Sequence, residues 1–397
     1  MINDTSNLKE HFILNPNITF LNHGSYGACP ISVFEENQKW QRKMERDPVK
    51  FMHEDVYGFL EKSRERLGNY INCDKDSIIY FPNPTHAVAS VIDNIKVKKN
   101  DEVLSTNLEY GSCDRMWFYH SKIHEYKYVQ SNIQMPILDK ESFLKDFWSS
   151  LSKKTKFVFI SHITSGTAML LPIREIIEES KRLGLYTIID GAHAPGQIPL
   201  DIIELDPDYY IGACHKWMCA PKGSSFLYVR KELQDNMEPY LKSWGWGSEF
   251  DEFKNTTQHK SKSHFQNKFQ WQGTRDMSAF LTVPKAIEFQ DIYNWNDVIR
   301  RCKNLIVDTR NEITTLTGIP KICPDDFLIQ MTTIVFPFIG HLELKQVLYN
   351  DYQIEIPTYY KDGITAFRIS IQGYNTTNDA DYLVKSLHSI MKSKNGI

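Results

Sequence analysis

The chain has 397 residues, 41% of them hydrophobic and 24% charged, with a formal net charge of −3. That composition excludes disordered and fibrous proteins and leaves room for a large core plus a smaller second unit. The basic residues are scattered rather than massed, so there is no electrostatic footprint for nucleic acid or an anionic membrane, and small-molecule chemistry is expected.

The start, Met1 to Pro16, is polar and lacks the basic opening, apolar stretch and small-residue cleavage site of a secretory signal. A cytoplasmic location follows as the expectation. No apolar run approaches the roughly 20 residues that span a bilayer; the best candidate, Phe157 to Ile163, stops at a polar cluster. The seven cysteines are odd in number, spread out and free of CxxC pairs, which points to reduced thiols rather than a disulfide framework or a zinc site.

In chain order, short β-rich segments are expected at Ser77 to Phe81, Glu102 to Ser105, Phe157 to Ser161, Tyr186 to Asp190, Tyr209 to Gly212 and Ser225 to Val229. Helix-compatible stretches lie between them. In one, Ile173 to Leu183, apolar residues recur at helical spacing and Gly184 supplies the stop. This alternation predicts a three-layer α/β/α arrangement around a mostly parallel sheet. From Asn236 to Gln270 the pattern becomes polar and aromatic-rich, with Lys260, Ser261, Lys262 and Ser263 and no clear period, as in a functional loop. A helix is then expected over Met277 to Ile292. Beyond it, strands at Thr332 to Phe336 and Ala366 to Ile371, with helices at Asn296 to Thr315, Leu342 to Asn350 and Thr377 to Met391, predict a smaller α+β domain.

Two segments carry chemistry. Tyr186 to Gly196 (YTIIDGAHAPG) is an apolar strand that delivers Asp190 at its carboxyl end, where open parallel sheets bind ligands. A carboxylate there suits the pyridine nitrogen of pyridoxal phosphate, which must stay protonated to act as an electron sink. Capping of the following helix is the plainer alternative. Twenty-six positions on, YIGACHKWMCAPKG places Lys216 after a strand and before a turn with Pro221 and Gly223. A lysine that condenses with an aldehyde must be rigidly held and partly desolvated, because its amine has to lose a proton first. Lys222, in the same turn, is the competing lysine.

The strand-DGAH segment followed by HKW and a glycine turn resembles the fold-type I pyridoxal enzymes of aminotransferase class V, over nearly the whole chain. Within that class, LNHGSYGACP (Leu21 to Pro30) and RISIQGYNT (Arg368 to Thr376) are most similar to the isopenicillin N epimerase-like branch, which also contains carbon-sulfur lyases acting on cysteine conjugates. The resemblance implies the aspartate-aminotransferase-like fold: an N-terminal arm (1–20) packing with the small domain, a large cofactor-binding domain (21–275) and a small C-terminal domain (276–397).

It further implies that Lys216 is the Schiff-base lysine, Asp190 the pyridinium partner and His193 a contact to the ring's phenolic oxygen. Thr85 and His86, in NPTHAV at the start of an expected helix, are suited to the phosphate, with His215 as a further contact. Tyr110 matches the aromatic that stacks on the cofactor, with a part-buried core tyrosine as the alternative. His162 in SHITSGT sits where related desulfurases have an asparagine near the ring oxygen and substrate carboxylate. Thr274 in GTRD matches a donor reaching the neighbouring subunit's phosphate, which implies a homodimer. Arg368 matches the arginine that forks onto the substrate α-carboxylate. Asn22, His23 and Tyr26 lie in the turn that borders the substrate in the family, or else only order the N-terminal arm.

Departures narrow the reaction. Ile354 to Phe367 contains no cysteine where desulfurases carry their nucleophile, which disfavours persulfide formation. Cys214, beside the lysine, reads as a buried filler. The expected activity is a carbon-sulfur β-lyase on a cysteine conjugate or sulfoxide, with an amino-acid epimerase or an aminotransferase as alternatives. A non-catalytic cofactor-binding or regulatory protein is the alternative from another class.

Overall fold

The computed structural model describes residues 8–247, 250–253, 263–361 and 363–395. Lys260, Ser261 and Lys262, singled out above, lie outside the described residues. Among the described residues the strands form three sheets. The largest has seven strands in the order Ile78–Phe81, Ser225–Val229, Tyr209–Ala213, Tyr186–Gly191, Thr155–Ser161, Glu102–Thr106 and Lys127–Ser131. All neighbours run parallel except Ser225–Val229, which is antiparallel to both of its partners. The turn that joins it to Tyr209–Ala213 is shorter than the dozen or more residues a parallel crossover needs, so the chain folds straight back.

Except at Lys127–Ser131, the strands carry buried apolar residues on both faces, as a sheet covered by helices requires. Ile79, Phe159 and Ile188 pack into one cluster with Ala87 and Val88 of helix Pro84–Ile92 and Trp117 of helix Gly111–His124. Their sequence neighbours Ile78, Ile160 and Ile189 point the other way, into a larger core with Ile173, Ile176 and Ile177 of helix Ile173–Arg182. Lys127–Ser131 is an edge strand that the sequence pattern does not announce, because its exposed Lys127 and Gln130 break any apolar run.

Two further differences have local causes. The helix expected over Met277 to Ile292 is two, Ser278–Leu281 and Val283–Ile292, with Pro284 in the first turn of the second. Proline has no N–H to continue a helix from the preceding turn. The stretch ending at Gln270 contains a helix, His264–Gln270, whose Ser263 hydroxyl caps the Gln266 N–H and whose Phe265 and Phe269 are buried one turn apart.

A second sheet, Met331–Val335, Ile364–Ser370 and Thr358–Lys361, is antiparallel. The N-terminal segment is tied to that part of the chain: Thr19–Phe20 pairs with Ile354–Glu355, and the Leu8 N–H donates to the Gly373 carbonyl. From there the chain turns at Gly27 directly against the turn that carries Lys216. Gly27 has φ +70°, and a Cβ there would lie 2.0 Å from the His215 carbonyl oxygen. Gly27→Ala therefore combines a left-handed backbone with overpacking, and it is expected to cost about 2–4 kcal/mol. A urea melt should show a lower midpoint at unchanged slope; an unaltered midpoint contradicts this close approach.

Candidate active site

The carboxyl ends of the central strands converge on a cavity of about 200 Å³. Tyr186–Gly191 brings Asp190 to its floor, Thr155–Ser161 brings Ser161, and the turn after Tyr209–Ala213 brings His215 and Lys216. Asn83, Pro84 and Thr85, at the start of helix Pro84–Ile92, form another wall. Tyr110, which immediately precedes helix Gly111–His124, and Tyr26 stand at the mouth, about half and three-quarters exposed. Thus Lys216, Asp190, His193, Thr85, Tyr110, His215 and Tyr26, far apart in sequence, border one space.

Lys216 Nζ lies 3.0 Å from His193 Nε2. Burial and the nearby Arg368 guanidinium pull its amine down to about 8, against opposing effects of Asp190 and Cys113. Asp190 is buried. Its Oδ1 accepts the Ala192 N–H at 3.0 Å and its Oδ2 faces the Cys113 thiol at 3.7 Å. Burial raises its carboxyl, while the Ala192 N–H and Lys216 pull it back. His193 is buried and held well below the usual imidazole range, first by desolvation and then by Lys216 and Arg368.

Arg368, on the strand Ile364–Ser370 of the second sheet, is almost fully buried and has no carboxylate partner among the described residues. One terminal nitrogen donates to the Ser165 carbonyl at 2.6 Å and the other to the Ser25 hydroxyl at 3.1 Å, while Nε has no partner. Ser25 and Ser165 both line the cavity. A buried guanidinium without a counter-charge is suited to an incoming carboxylate.

Other expected residues stand differently. The His86 amide is already taken by the Asn83 side chain at 3.0 Å, and its ring is exposed outside the cavity wall; of the two residues expected at the phosphate here, Thr85 lines the cavity and His86 does not. His23 is fully buried behind the lysine turn, with Nδ1 joined to the Tyr374 hydroxyl and Nε2 to the Lys216 carbonyl, each at 3.0 Å. Desolvation takes it down to about 3, so its ring is a neutral brace for the Lys216 backbone rather than a group facing substrate. Asn22 accepts the Ser25 hydroxyl and reaches Glu355, and so acts on the cavity only through Ser25. His162 bonds the Tyr210 hydroxyl through Nδ1 at 2.9 Å; its neighbours Ser161 and Ile163 line the cavity. Thr274 is exposed, away from the cavity wall. His215 donates Nδ1–H to the Ser224 carbonyl at 2.9 Å, and burial lowers it to about 4. In the neutral ring only a lone pair remains at Nε2, so donation to a phosphate requires uptake of a proton.

Two residues escape the motif reading. Cys113 reaches Asp190 from a helix whose sequence carries no motif. Glu109 accepts the Ser161 amide and hydroxyl at 2.9 and 2.5 Å and the Thr106 hydroxyl at 2.7 Å, stitching two strand ends together; burial lifts it to about 8. An acid near the carboxyl end of a buried strand, the feature that marked Asp190, is the signal that could have found it.

The donor set fits pyridoxal phosphate: a buried acid for a ring nitrogen, a desolvated amine for an aldehyde, and a helix start with a threonine for a phosphate. A family model described as aminotransferase class-V matches residues 29–383. The chain is 26% identical over 395 residues to isopenicillin N epimerase of Amycolatopsis lactamdurans, covering 98% of each. It is 27% identical to L-cysteine desulfhydrase of Arabidopsis thaliana, covering 94% of this chain and 88% of that one. The cysteine desulfurase CsdA of Escherichia coli shares the fold, with a TM-score of 0.82 at 18% identity over 99% of this chain and all of that one. The chain therefore belongs to the class-V aminotransferase family and is a pyridoxal-phosphate-dependent enzyme of the aspartate-aminotransferase-like fold.

Proposed function

We propose that the chain is a carbon-sulfur β-lyase that releases pyruvate and ammonia from a cysteine conjugate or cysteine sulfoxide. The observation that carries this reading is the state of the cavity's thiol. Among the described lining residues Cys113 is the one cysteine; it faces Asp190, and burial together with neighbouring carboxylates pushes it well above the usual thiol range. A protonated thiol is a poor nucleophile, and residues 354–367 hold no cysteine, so sulfur leaves the site rather than passing to the protein.

In this reading Lys216 holds the cofactor, Asp190 faces its ring nitrogen, and Thr85 and His215 meet its phosphate. Pyridoxal phosphate, when bound, draws off the electron pair left by a broken Cα–H bond. Arg368 forks onto the substrate carboxylate between Ser25 and Ser165 and so aims Cα at the amine. Neutral Lys216 Nζ takes the Cα proton. The Cβ–S bond then breaks with its electron pair on sulfur, sulfur takes up a proton, and water converts the three-carbon remainder to pyruvate and ammonia. The likeness to an L-cysteine desulfhydrase supports this class of reaction.

Epimerisation is the second reading, favoured by the Tyr26 hydroxyl at the mouth as a second proton donor and by the likeness to an isopenicillin N epimerase. We also assign Thr274 to the phosphate of a second copy, which makes the active unit a homodimer, and place the protein in the cytoplasm. Among the described residues no helix is long and apolar enough to cross a membrane.

With purified protein, pyruvate should appear from a panel of S-substituted cysteines. Silence across the panel, with solvent deuterium entering Cα under inversion, would select the epimerase. Arg368→Lys keeps the charge but loses the planar fork, so KM should rise about 10–100-fold with a smaller change in kcat; an equal fall in kcat at constant KM contradicts carboxylate binding. Labelling of Lys216 by trinitrobenzenesulfonate in cofactor-free protein, followed by peptide mass spectrometry, should rise with pH around a midpoint near 8. The sign follows from burial lowering the folded value, and a midpoint near the ordinary 10.5 would contradict a desolvated amine.

A further inference from the structure

We propose that Trp217 is a positioning residue whose indole N–H fixes the tautomer of His193 and so holds the Lys216 amine as a proton acceptor. The step rests on donor and acceptor counting. An indole carries one N–H and no acceptor, and Trp217 Nε1 points at His193 Nδ1 at 3.3 Å. That nitrogen must therefore be bare. His193 is buried and surrounded by Lys216, Arg368, His215 and His23, all of which disfavour a charged imidazole, so the ring carries one proton. With Nδ1 bare, the proton sits on Nε2, 3.0 Å from Lys216 Nζ.

An Nε2–H facing Nζ needs a lone pair there, and only the neutral amine has one. An ammonium would set two donors face to face. The other groups facing Nζ divide: Arg368, from the second sheet, also opposes the ammonium, while Asp190 on the central strand and Cys113 on helix Gly111–His124 favour it. The tautomer thus adds to one side of a contest between neighbours.

Trp217 is placed for this task. Its side chain is fully buried, its carbonyl accepts the Gln290 side-chain N–H at 3.1 Å, and its backbone lies against Gly196, where a Cβ would come within 2.3 Å of the Trp217 carbonyl. The His193 carbonyl is held by the Gln197 side chain at 2.7 Å. Both backbones are thus held and both side chains are buried, so the two rings are presented to each other from fixed positions.

The inference rests on the reading of Lys216 as the cofactor's lysine, but its readout is a ring nitrogen. Full-length protein labelled with ¹⁵N-histidine and freed of cofactor should show, above pH 8, a pyrrole-type Nε2 and a pyridine-type Nδ1 for His193. In Trp217→Phe the ring gains access to the Nδ1–H form, whose bare Nε2 accepts from an ammonium. The midpoint of Lys216 labelling should then rise by about one pH unit, roughly tenfold less neutral amine at pH 7. A protonated Nδ1 in the wild type overturns the proposal whether or not the variant folds, as does a folded variant with an unmoved midpoint. A correct tautomer in a protein that takes up no pyridoxal phosphate would support the tautomer claim and sink the Lys216 reading instead.

Discussion

Everything in this site depends on keeping one amine short of a proton. Lys216 Nζ sits in a buried cavity with an imidazole at 3.0 Å, and burial together with the Arg368 guanidinium brings it down to about 8. Left in water the same group would be an ammonium at any physiological pH and useless as nucleophile or base. Asp190 works against that depression, so the outcome is set by the balance of desolvation and Arg368 over a single carboxylate.

Such a balance needs a rigid frame, and the frame comes from distant parts of the chain. The lysine turn is braced from behind by His23 on the Lys216 carbonyl and by Gly27 against His215. The central strand supplies Asp190, and Glu109 ties the neighbouring strand ends. Arg368 arrives from the other sheet, beside a segment that also holds the N-terminal chain through Asn22 and Ser370. Arg368 thus stands behind the cavity wall, reaching it through Ser25 and Ser165, which line it.

Much of this was legible in the sequence, for definite reasons. Asp190 lies at the carboxyl end of one apolar strand and Lys216 follows another, and such strands announce themselves by composition; the sheet order then brings their ends together. Arg368 was found by resemblance alone, since a single arginine in a strand carries no local signal. The edge strand Lys127–Ser131 was missed because its exposed side chains break the apolar pattern. For His23 the sequence left open a place beside the substrate or a part in ordering the N-terminal arm; in the fold Tyr374 and the Lys216 carbonyl, more than 190 residues away in sequence, occupy both of its nitrogens, which fits a bracing role. His86 was assigned to a phosphate because the helix start was expected to leave its amide free, but Asn83 caps it. The roles of Cys113 and of the Trp217–His193 contact arise only when the chain is folded.

The central claim is that the amine at position 216 is the one that captures the aldehyde of pyridoxal phosphate. Borohydride reduction of the purified protein, followed by proteolysis and mass spectrometry, tests it most directly. The account predicts that the added mass of the reduced cofactor sits on the peptide containing Lys216 and on no other. Cofactor fixed instead to the neighbouring Lys222, or not fixed at all in protein with a visible cofactor band, would contradict it.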